Sequence, residues 1–183
     1  METTVKTSTK TKWALDPTHS ELVFKVKHLM ITNVKGEFRK FNAEIESDGK
    51  DFTNASIKAT IDASSIFTNE DNRDGHLKSP DFFDVENHKE LSFVGTSFNR
   101  KGEDEYELTG KLTIKGVTKE VTFTVEFGGV TKDPWGNEKA GFSLSGKINR
   151  TDFGLNWNAA LETGGVLVSE EVRINAEVQF IKK

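Results

Sequence analysis

The sequence predicts an all-β fold, an antiparallel β-barrel of about eight strands with one short helical segment near residues 69–79. Apolar and polar residues alternate with a period of two along most of the chain, which is typical of half-buried strands. Turn-forming residues separate these segments, and the chain shows no helical crossovers of the kind that parallel strands require. We expect closure of the sheet into a barrel, because closure removes its unpaired edges.

Each predicted strand is marked by its alternating apolar positions. In chain order these are Leu22, Phe24 and Val26; Val34, Gly36 and Phe38; Ile57, Ala59, Ile61 and Ala63; Leu91 and Phe93; Leu108 to Ile114; Val121 to Phe127; Phe142 to Ile148; and Val172 to Phe180. The clearest hairpin joins the fifth and sixth of these segments through Lys115-Gly116. Because Phe38 and Phe41 fall out of phase, the sequence also predicts a β-bulge near Arg39-Lys40.

Glycine has two predicted uses. Turns are expected at Asp48-Gly49, Lys101-Gly102, Gly128-Gly129, Asp133-Pro134-Trp135-Gly136 and Gly164-Gly165. The glycines within strands are Gly95, Gly110 and Gly146. They permit either sharp coiling at a barrel corner or close approach of a ligand to the wall, and corner formation is favoured because coiled barrels need such residues in any case.

The only predicted helix spans Asn69 to Ser79. Acidic residues crowd its first turn and Lys78 lies near its other end, which matches the direction of the helix dipole. Pro80 is expected to stop it, since proline cannot continue a helix.

Length and composition indicate one globular domain. The chain has 183 residues, and residues 13–183 are assigned to the barrel, preceded by a Thr/Lys-rich tail over residues 1–12 that is expected to be disordered. The net charge of −4 argues against a nucleic-acid partner, because such proteins need a positive stripe to displace counterions. The chain contains no cysteine, so disulfides and thiolate metal sites are excluded.

Localisation is predicted from the N-terminus. No apolar stretch follows the positive start, as a secretory signal would require, so the chain as given is expected to be cytoplasmic. It would be periplasmic if the sequence were a mature form. No window approaches the roughly 20 apolar residues of a spanning helix.

Phenylalanine is unusually frequent, with 14 phenylalanines against one tyrosine. Its ring offers a large apolar area without a polar tip, which suits either a dry solid core or an oily cavity. The residues alone leave both alternatives open.

Catalysis has no positive support in the sequence. The four histidines, His19, His28, His76 and His88, show no metal-like spacing, so ordinary structural or surface roles are favoured and no metal is predicted. No nucleophile elbow, phosphate loop or dinucleotide fingerprint is present, and no cofactor is predicted.

One polar segment, Arg73-Asp74-Gly75-His76-Leu77, interrupts the strands. Arg73 and Asp74 could form a surface ion pair of little energetic value. Alternatively, Arg73 and His76 lie at a barrel mouth and bind a polar or anionic headgroup, for which planar guanidinium donors are well suited. In either case Leu77, Phe82 and Phe83 would anchor the segment to the barrel. A second departure from alternation, residues 151–157, is interpreted as a loop over the barrel end.

A set of motifs, in their order along the chain, resembles the YceI-like family of bacterial proteins over residues 13–180. The motifs are Trp13-x-Leu15-Asp16-x-x-His19-Ser20, Phe24-x-Val26-x-His28-Leu29, Val34-x-Gly36-x-Phe38, Ser65-Ile66-x-Thr68, Arg73-Asp74-x-His76-Leu77-x-Ser79-x-Asp81-Phe82-Phe83, Gly110-x-Leu112-Thr113-Ile114-x-Gly116-Val117-Thr118 and Arg150-x-Asp152-Phe153-Gly154. Each motif alone is weak, but their ordered set is specific.

The resemblance implies an extended, lipocalin-like barrel that holds a long amphiphile, such as a polyisoprenoid, an isoprenoid quinone or a fatty amide. It therefore implies a lipid-binding protein for transport, storage or sequestration, with a link to stress, rather than an enzyme. Exchange of the ligand at a membrane surface and a homodimer are both compatible with it.

Candidate ligand-binding residues follow from this interpretation. The expected tunnel lining comprises Phe24, Phe38, Ile61, Phe93, Phe123, Val125 and Phe142. The expected polar end comprises Arg73, Asp74 and His76, together with His19 and His28. Two alternatives stay open: an enzyme that acts on a lipid with His76 or His28 as base, and an interaction domain whose phenylalanines fill a solid core.

Overall fold

The computed structural model describes residues 10–161 and 165–183. This part of the chain forms eleven strands, one α-helix and three short 3-10 turns. The strands are β1 Thr11–Leu15, β2 Glu21–His28, β3 Thr32–Phe38, β4 Phe41–Asp48, β5 Asp51–Asp62, β6 Ile66–Phe67, β7 Glu90–Arg100, β8 Glu105–Ile114, β9 Val117–Lys132, β10 Glu138–Asn149 and β11 Val168–Lys182. The helix, α1, spans Asp71–Lys78.

Eight of these strands form a closed antiparallel barrel, which confirms the predicted fold class. The ring runs β1-β4-β5-β7-β8-β9-β10-β11 and closes where β1 pairs with β11. Strand β1 is held between β4 and β11, with Trp13 opposite both Ile45 and Lys182. Closure satisfies the backbone groups that an open sheet would leave unpaired at its edges.

The long strand β11 pairs with β10 along one edge and with two strands, β1 and β2, along its other edge. Its last residues pair with β1, whereas Val168 to Glu177 pair with β2. Strand β2 continues into β3, and the short β6 pairs with the end of β3. The side sheet β2-β3-β6 therefore extends the barrel sheet from the first part of β11.

Helix α1, the one helix that the sequence predicts, follows β6 of this side sheet and packs against it. Its N-cap is Glu70, whose carboxylate accepts hydrogen bonds from the backbone N–H groups of Asn72 and Arg73. The helix ends at Lys78, two residues before Pro80. It is too short to span a bilayer, and no other helix in residues 10–161 and 165–183 is long and apolar enough to do so.

The predicted alternation appears most clearly in the β8–β9 hairpin. Tyr106, Leu108, Leu112 and Ile114 are buried, whereas the intervening Lys111 is exposed. The predicted turn at Lys115-Gly116 joins the two strands, and both residues have the positive φ that tight two-residue hairpins require.

Two local predictions are wrong. The break near Arg39-Lys40 is not a bulge, because β3 ends at Phe38 and β4 begins at Phe41, and the two strands pair with different neighbours. Gly128-Gly129 is not a turn, because it lies inside β9, where the β9–β10 register shifts between Gly141 and Phe142. A bulge and a turn both use glycine, so the dipeptide alone does not distinguish them.

The N-terminal boundary also differs from the prediction. Thr11 and Lys12 belong to β1 rather than to a disordered tail, since they pair with Ser47 and Glu46 of β4. Residues 1–9 of the predicted tail, and Gly164 of the predicted Gly164-Gly165 turn, lie outside the described residues.

Strand glycines make room for phenylalanine rings. The ring of Phe93 lies over Gly110, and the ring of Phe123 lies over Gly146, so that an added Cβ would overlap each ring. Gly36 accommodates Phe24 in the same way, directly across the β2–β3 pair. These three glycines therefore allow the close approach of a neighbouring phenylalanine ring. The sequence analysis considered close approach of a ligand, or coiling at a barrel corner, but not this side-chain contact.

Candidate ligand-binding cavity

An elongated cavity of about 580 Å³ occupies the barrel interior. This volume falls within the range of roughly 300–1,000 Å³ that is typical of small-molecule sites. Inward-facing residues of the ring strands and of the side sheet line it. The interior is therefore hollow, which excludes the alternative of a phenylalanine-filled solid core.

All seven predicted lining residues, Phe24, Phe38, Ile61, Phe93, Phe123, Val125 and Phe142, lie on the wall of this cavity. That they contact a ligand stays a prediction. Sequence reasoning missed further apolar wall residues on the same strand faces. These include Leu22, Val26, Val34, Phe41, Ala43, Ile45, Ile57, Ala59, Leu91, Leu108, Leu112, Leu144, Ile148, Ile174 and Val178.

One end of the barrel is closed by aromatic rings. We call Trp13, Phe52, Tyr106 and Phe127 the aromatic plug; all four lie near the turns that precede β5, β8 and β10. Phe52 packs against Trp13 and Phe127 with ring centroids 5.4 and 5.2 Å apart, and against the cavity-lining Phe142 at 5.1 Å. The phenylalanines therefore serve both predicted uses, a dry core at one end and a cavity wall beyond it.

In the part of the chain that the structure describes, polar side chains reach the cavity only near its other end. They come from the end of β2, from Thr68 between β6 and α1, from α1 itself, and from Arg150 after β10. The polar lining residues are Lys27, His28, Thr68, Asn72, Arg73, His76 and Arg150. We call this end the cavity mouth.

Arg73 and Asp74 are joined through Thr68. The backbone N–H and hydroxyl of Thr68 both donate to Asp74 Oδ1. Arg73 donates from Nε to the Thr68 hydroxyl at 2.8 Å and from Nη2 to its carbonyl at 2.7 Å. The direct surface ion pair considered from sequence is not formed in the described part of the chain, and buried Asp74 does not line the cavity. Arg73 does line it, with Nη1 left free of partners among the described residues.

His76 is fixed in an aromatic setting at the mouth. Its Nε2 lies 2.9 Å from Asp81 Oδ2, and its ring meets Phe82 and Trp157 edge-on at centroid distances of 5.1 and 4.7 Å. His28 also lines the cavity, at the end of β2. The structure therefore places Arg73, His76 and His28 at the cavity mouth, and that they contact a ligand stays a prediction.

Arg150 organises the loop beside the mouth, and its role was not predicted. The side chain is only 4% exposed and donates to the backbone carbonyls of Leu155, Trp157, Val168 and Ser169. Burial lowers the pKa of its guanidinium, and the negative charge of Glu170 opposes this shift. These bonds hold residues 155–157 against β11, which agrees with the predicted loop over the barrel end and places Trp157 on the cavity wall.

His19 lies elsewhere. Its Nδ1 is 2.8 Å from Asp16 Oδ2, and the same carboxylate oxygen accepts a 2.8 Å hydrogen bond from Lys139 Nζ. Asp16 is buried, and the Lys139 hydrogen bond holds the pKa of its carboxyl well below the usual range despite burial, with help from His19 and Thr18. This cluster connects the segment after β1 to β10 and does not line the cavity.

Few of the described residues at this site are candidates for catalytic groups or metal ligands. Thr68, the only residue with a hydroxyl on the wall of the cavity within the described ranges, is already bound to Asp74 and Arg73. No group of three or more metal-ligating side chains was found in residues 10–161 and 165–183. What the arrangement can do is hold an elongated molecule that is apolar along its length and polar at one end.

Comparison with known proteins identifies clear relatives. The sequence model of the YceI-like domain matches residues 13–180. A UPF0312 protein of Staphylococcus epidermidis is 45% identical over 171 residues, which cover 93% of this chain and 97% of the relative. The crystal structure of a Campylobacter jejuni YCEI protein superposes with a TM-score of 0.75 at 35% identity, covering 86% of this chain and 90% of that one.

A more distant structure shares the fold alone. It is a polyisoprenoid-binding domain from Saccharophagus degradans, with a TM-score of 0.71 at 15% identity over 93% of this chain and 98% of that domain.

Proposed function

The chain belongs to the YceI-like family, and from that premise we propose that it binds an elongated amphiphilic lipid, isoprenoid-like or fatty, inside the barrel. The observation that carries the proposal is the polarity of the cavity along its length. Among the described residues its wall is apolar from the plug to the mouth, and the cationic and hydrogen-bonding side chains that line it lie at the mouth. An amphiphile has the same distribution of polarity.

The tail of the ligand lies along the strands. From Phe142 to Arg150 the cavity follows β10, a path of roughly 26 Å at 3.3 Å per residue. Burial of a tail contributes roughly 25 cal/mol per Å² of apolar surface, so a long slender chain gains affinity along this whole length. The aromatic plug sets the far limit of the tail.

The head of the ligand lies at the mouth, within reach of Arg73, His76 and His28. Free guanidinium N–H groups of Arg73 suit an oxygen-rich head, such as a phosphate or a carbonyl. The distant Saccharophagus degradans domain is described as binding polyisoprenoids, which supports the isoprenoid class.

Carriage or storage is the role that this site favours over catalysis. Thr68 is committed to Asp74 and Arg73, so within the described ranges the cavity offers His76 or His28 as a base without a free hydroxyl or thiol for that base to activate. Transport, storage or sequestration all require only that the lipid enter and leave. Turnover of a bound isoprenoid diphosphate would instead indicate an enzyme.

A bulky residue in the cavity wall tests the proposal. Ala59 of β5 lines the cavity, whereas its neighbour Thr60 points outward and is exposed. We expect Ala59→Trp to weaken binding of a fluorescent polyene fatty acid by at least about tenfold, a loss of about 1.4 kcal/mol, because the indole occupies the tail path.

Thr60→Trp is the matched control, with the same added side chain on the other face of the strand, and it is expected to bind the probe like the wild type. Both variants are first checked for cooperative thermal unfolding. Equal probe affinity in the two folded variants would show that the lipid does not lie in the barrel.

A further inference from the structure

The turn between β2 and β3 exposes apolar side chains. Leu29, Met30 and Ile31 are 40%, 49% and 76% exposed. Among the described residues only five large apolar side chains are exposed, and three of them are consecutive here. We call Leu29, Met30 and Ile31 the apolar tip.

The backbone of the apolar tip is strained. Leu29 and Met30 have φ angles of 53° and 63°, in the left-handed region that bulky side chains avoid. Asn-Gly is the sequence that a turn with positive φ at both central residues favours. The bulky apolar residues of the tip therefore strain the backbone and expose apolar surface to water. Because neither effect stabilises the fold, we expect these side chains to bind something other than this chain.

The parts of β2 and β3 next to the tip are cationic. From Lys25 to Lys35 the chain has three lysines and one histidine but no aspartate or glutamate. Lys25 lies opposite Lys35 on one side and Arg173 on the other. Two glutamates of neighbouring β11 already have cationic neighbours. Glu171 lies 3.3 Å from Lys147 and 4.0 Å from Arg173, and the negative charge of Glu170 favours the charged form of Arg150.

The apolar tip adjoins the cavity mouth. His28, the residue before the tip, lines the cavity, and so does Leu167, whose carbonyl accepts a 2.8 Å hydrogen bond from the Leu29 N–H. An object that covers the tip therefore lies beside the opening through which a ligand would pass.

We propose that the apolar tip inserts into a lipid bilayer with anionic headgroups and brings the cavity mouth to the membrane surface. Apolar side chains enter the boundary between headgroups and acyl chains, while lysines of the adjoining strands meet the negative surface. A ligand then moves between bilayer and cavity without crossing water. This purpose rests on the proposed lipid binding, but insertion can be measured separately.

A bilayer fits the tip better than a protein partner does. Specific protein interfaces bury about 800 Å² on each partner, and three residues at the end of a narrow hairpin cannot supply that area. A bilayer needs no matching shape, so a small apolar wedge surrounded by cations is sufficient.

Vesicle flotation tests the proposal. The protein is mixed with vesicles of phosphatidylcholine alone or with phosphatidylglycerol added. We expect wild-type protein to float with the anionic vesicles and less with the neutral ones. The variant Leu29→Asn/Met30→Gly/Ile31→Ser should lose at least about tenfold in binding, while its unfolding temperature rises because Asn-Gly relieves the backbone strain.

Trp135→Ser is the matched control, because Trp135 is 81% exposed in the turn between β9 and β10, at the plug end of the barrel. It should float like the wild type. A second arm, Lys25→Glu/Lys35→Glu, should reduce binding to anionic vesicles and leave neutral ones unaffected.

Three results would overturn the proposal. They are absence of wild-type flotation, equal flotation of the tip variant, and a wild-type dimer in sedimentation that the tip variant abolishes, which would make the tip an interface between copies.

Uptake of the polyene fatty acid from solution separates this proposal from lipid binding itself. A tip variant that takes up the probe from solution normally, but more slowly from vesicles, supports docking. If neither the wild type nor the tip variant takes up the probe, the lipid-binding proposal fails, whereas insertion of the tip is still decided by flotation.

Discussion

At the scale of single residues, the cavity depends on glycines that the phenylalanine rings need. Gly36, Gly110 and Gly146 each lie under a ring that lines the cavity, namely Phe24, Phe93 and Phe123. Gly110 has in addition the backbone carbonyl of Val94 only 2.6 Å from the position of an added Cβ. A methyl group at such a position has to push a ring into the cavity or move the neighbouring strand.

We expect Gly36→Ala to destabilise the fold by about 1–3 kcal/mol, because overpacking forces Phe24 from its position. The displaced ring enters the cavity, so probe affinity should fall as well. Gly141→Ala on β10 is the control, since nothing lies within 4 Å of its added Cβ. Urea unfolding of both variants measures the difference, and equal stabilities would contradict this role of Gly36.

A second group of residues secures the region where the barrel closes. Asp16 and Lys139 are both largely buried and lie 2.8 Å apart, between the segment that follows β1 and the start of β10. Loss of one partner of such a buried pair leaves a charge without compensation, which is strongly destabilising.

We therefore expect Lys139→Met to lower the free energy of unfolding by about 3 kcal/mol at neutral pH. Lys139 holds the pKa of Asp16 below its unfolded value, so the stability contributed by the pair is fully present above about pH 4, the pKa of an unfolded aspartate. It is lost as the pH falls further.

Denaturant unfolding of wild type and variant as a function of pH measures this dependence. The difference should be largest near neutral pH and shrink below pH ~4. A difference that does not change with pH would contradict the ion-pair account. Lys50→Met is the control, because Lys50 is an exposed lysine that lies 3.6 Å from Glu138.

At the scale of elements, the sequence predicted the hairpin and the helix, whose formation depends on residues close together in the chain. The β8–β9 hairpin was predicted because alternation and a Lys-Gly turn coincide, and α1 because its acidic start and Pro80 bound it. The interruption at Arg39-Lys40 was misinterpreted because a bulge and a break between strands shift the phase alike. Only the pairing partners distinguish them, and these depend on the whole sheet.

The same limit applies to the polar residues of the site. Arg73, His76 and His28 all line the cavity mouth, although His28 comes from β2 and the other two from α1. The buried role of Arg150 could not be predicted, because its backbone carbonyl partners lie in a loop and in β11 and have no side-chain signature. His19 was grouped with the mouth by its residue type, whereas its position after β1 places it with Asp16.

Helix α1 gives a prediction at this scale. We expect Arg73→Ala to weaken binding of a lipid with a negatively charged head by about tenfold, because a hydrogen bond to a charged group contributes about 1.5 kcal/mol. A lipid with the same tail and a neutral head should lose less affinity.

Lys78→Ala is the control, since it removes a positive charge from the same helix outside the cavity wall. Competition against the fluorescent probe measures the affinities. Equal losses for the two lipids with Arg73→Ala would mean that Arg73 serves only to hold Thr68.

At the scale of the whole molecule, the sequence predicted a barrel rich in phenylalanine but not how the rings are divided. Seven residues that lie on the wall were predicted because alternation with polar residues marks one apolar face on each strand, although alternation alone does not say whether that face points into a cavity. Whether that face encloses a cavity or a solid core depends on distances across the barrel. The aromatic plug shows this, since Phe52 and Phe142 have the same side chain and only Phe142 reaches the cavity.

The most direct test of the central claim is native mass spectrometry of the protein purified from cells under gentle conditions, before and after extraction with organic solvent and reloading from a lipid mixture. We predict one amphiphilic lipid per chain, released as a single species on activation in the gas phase and regained on reloading, but not regained by Ala59→Trp. A folded wild-type protein that shows only the mass of its polypeptide, both as purified and after incubation with isoprenoid and fatty lipids, would contradict the account.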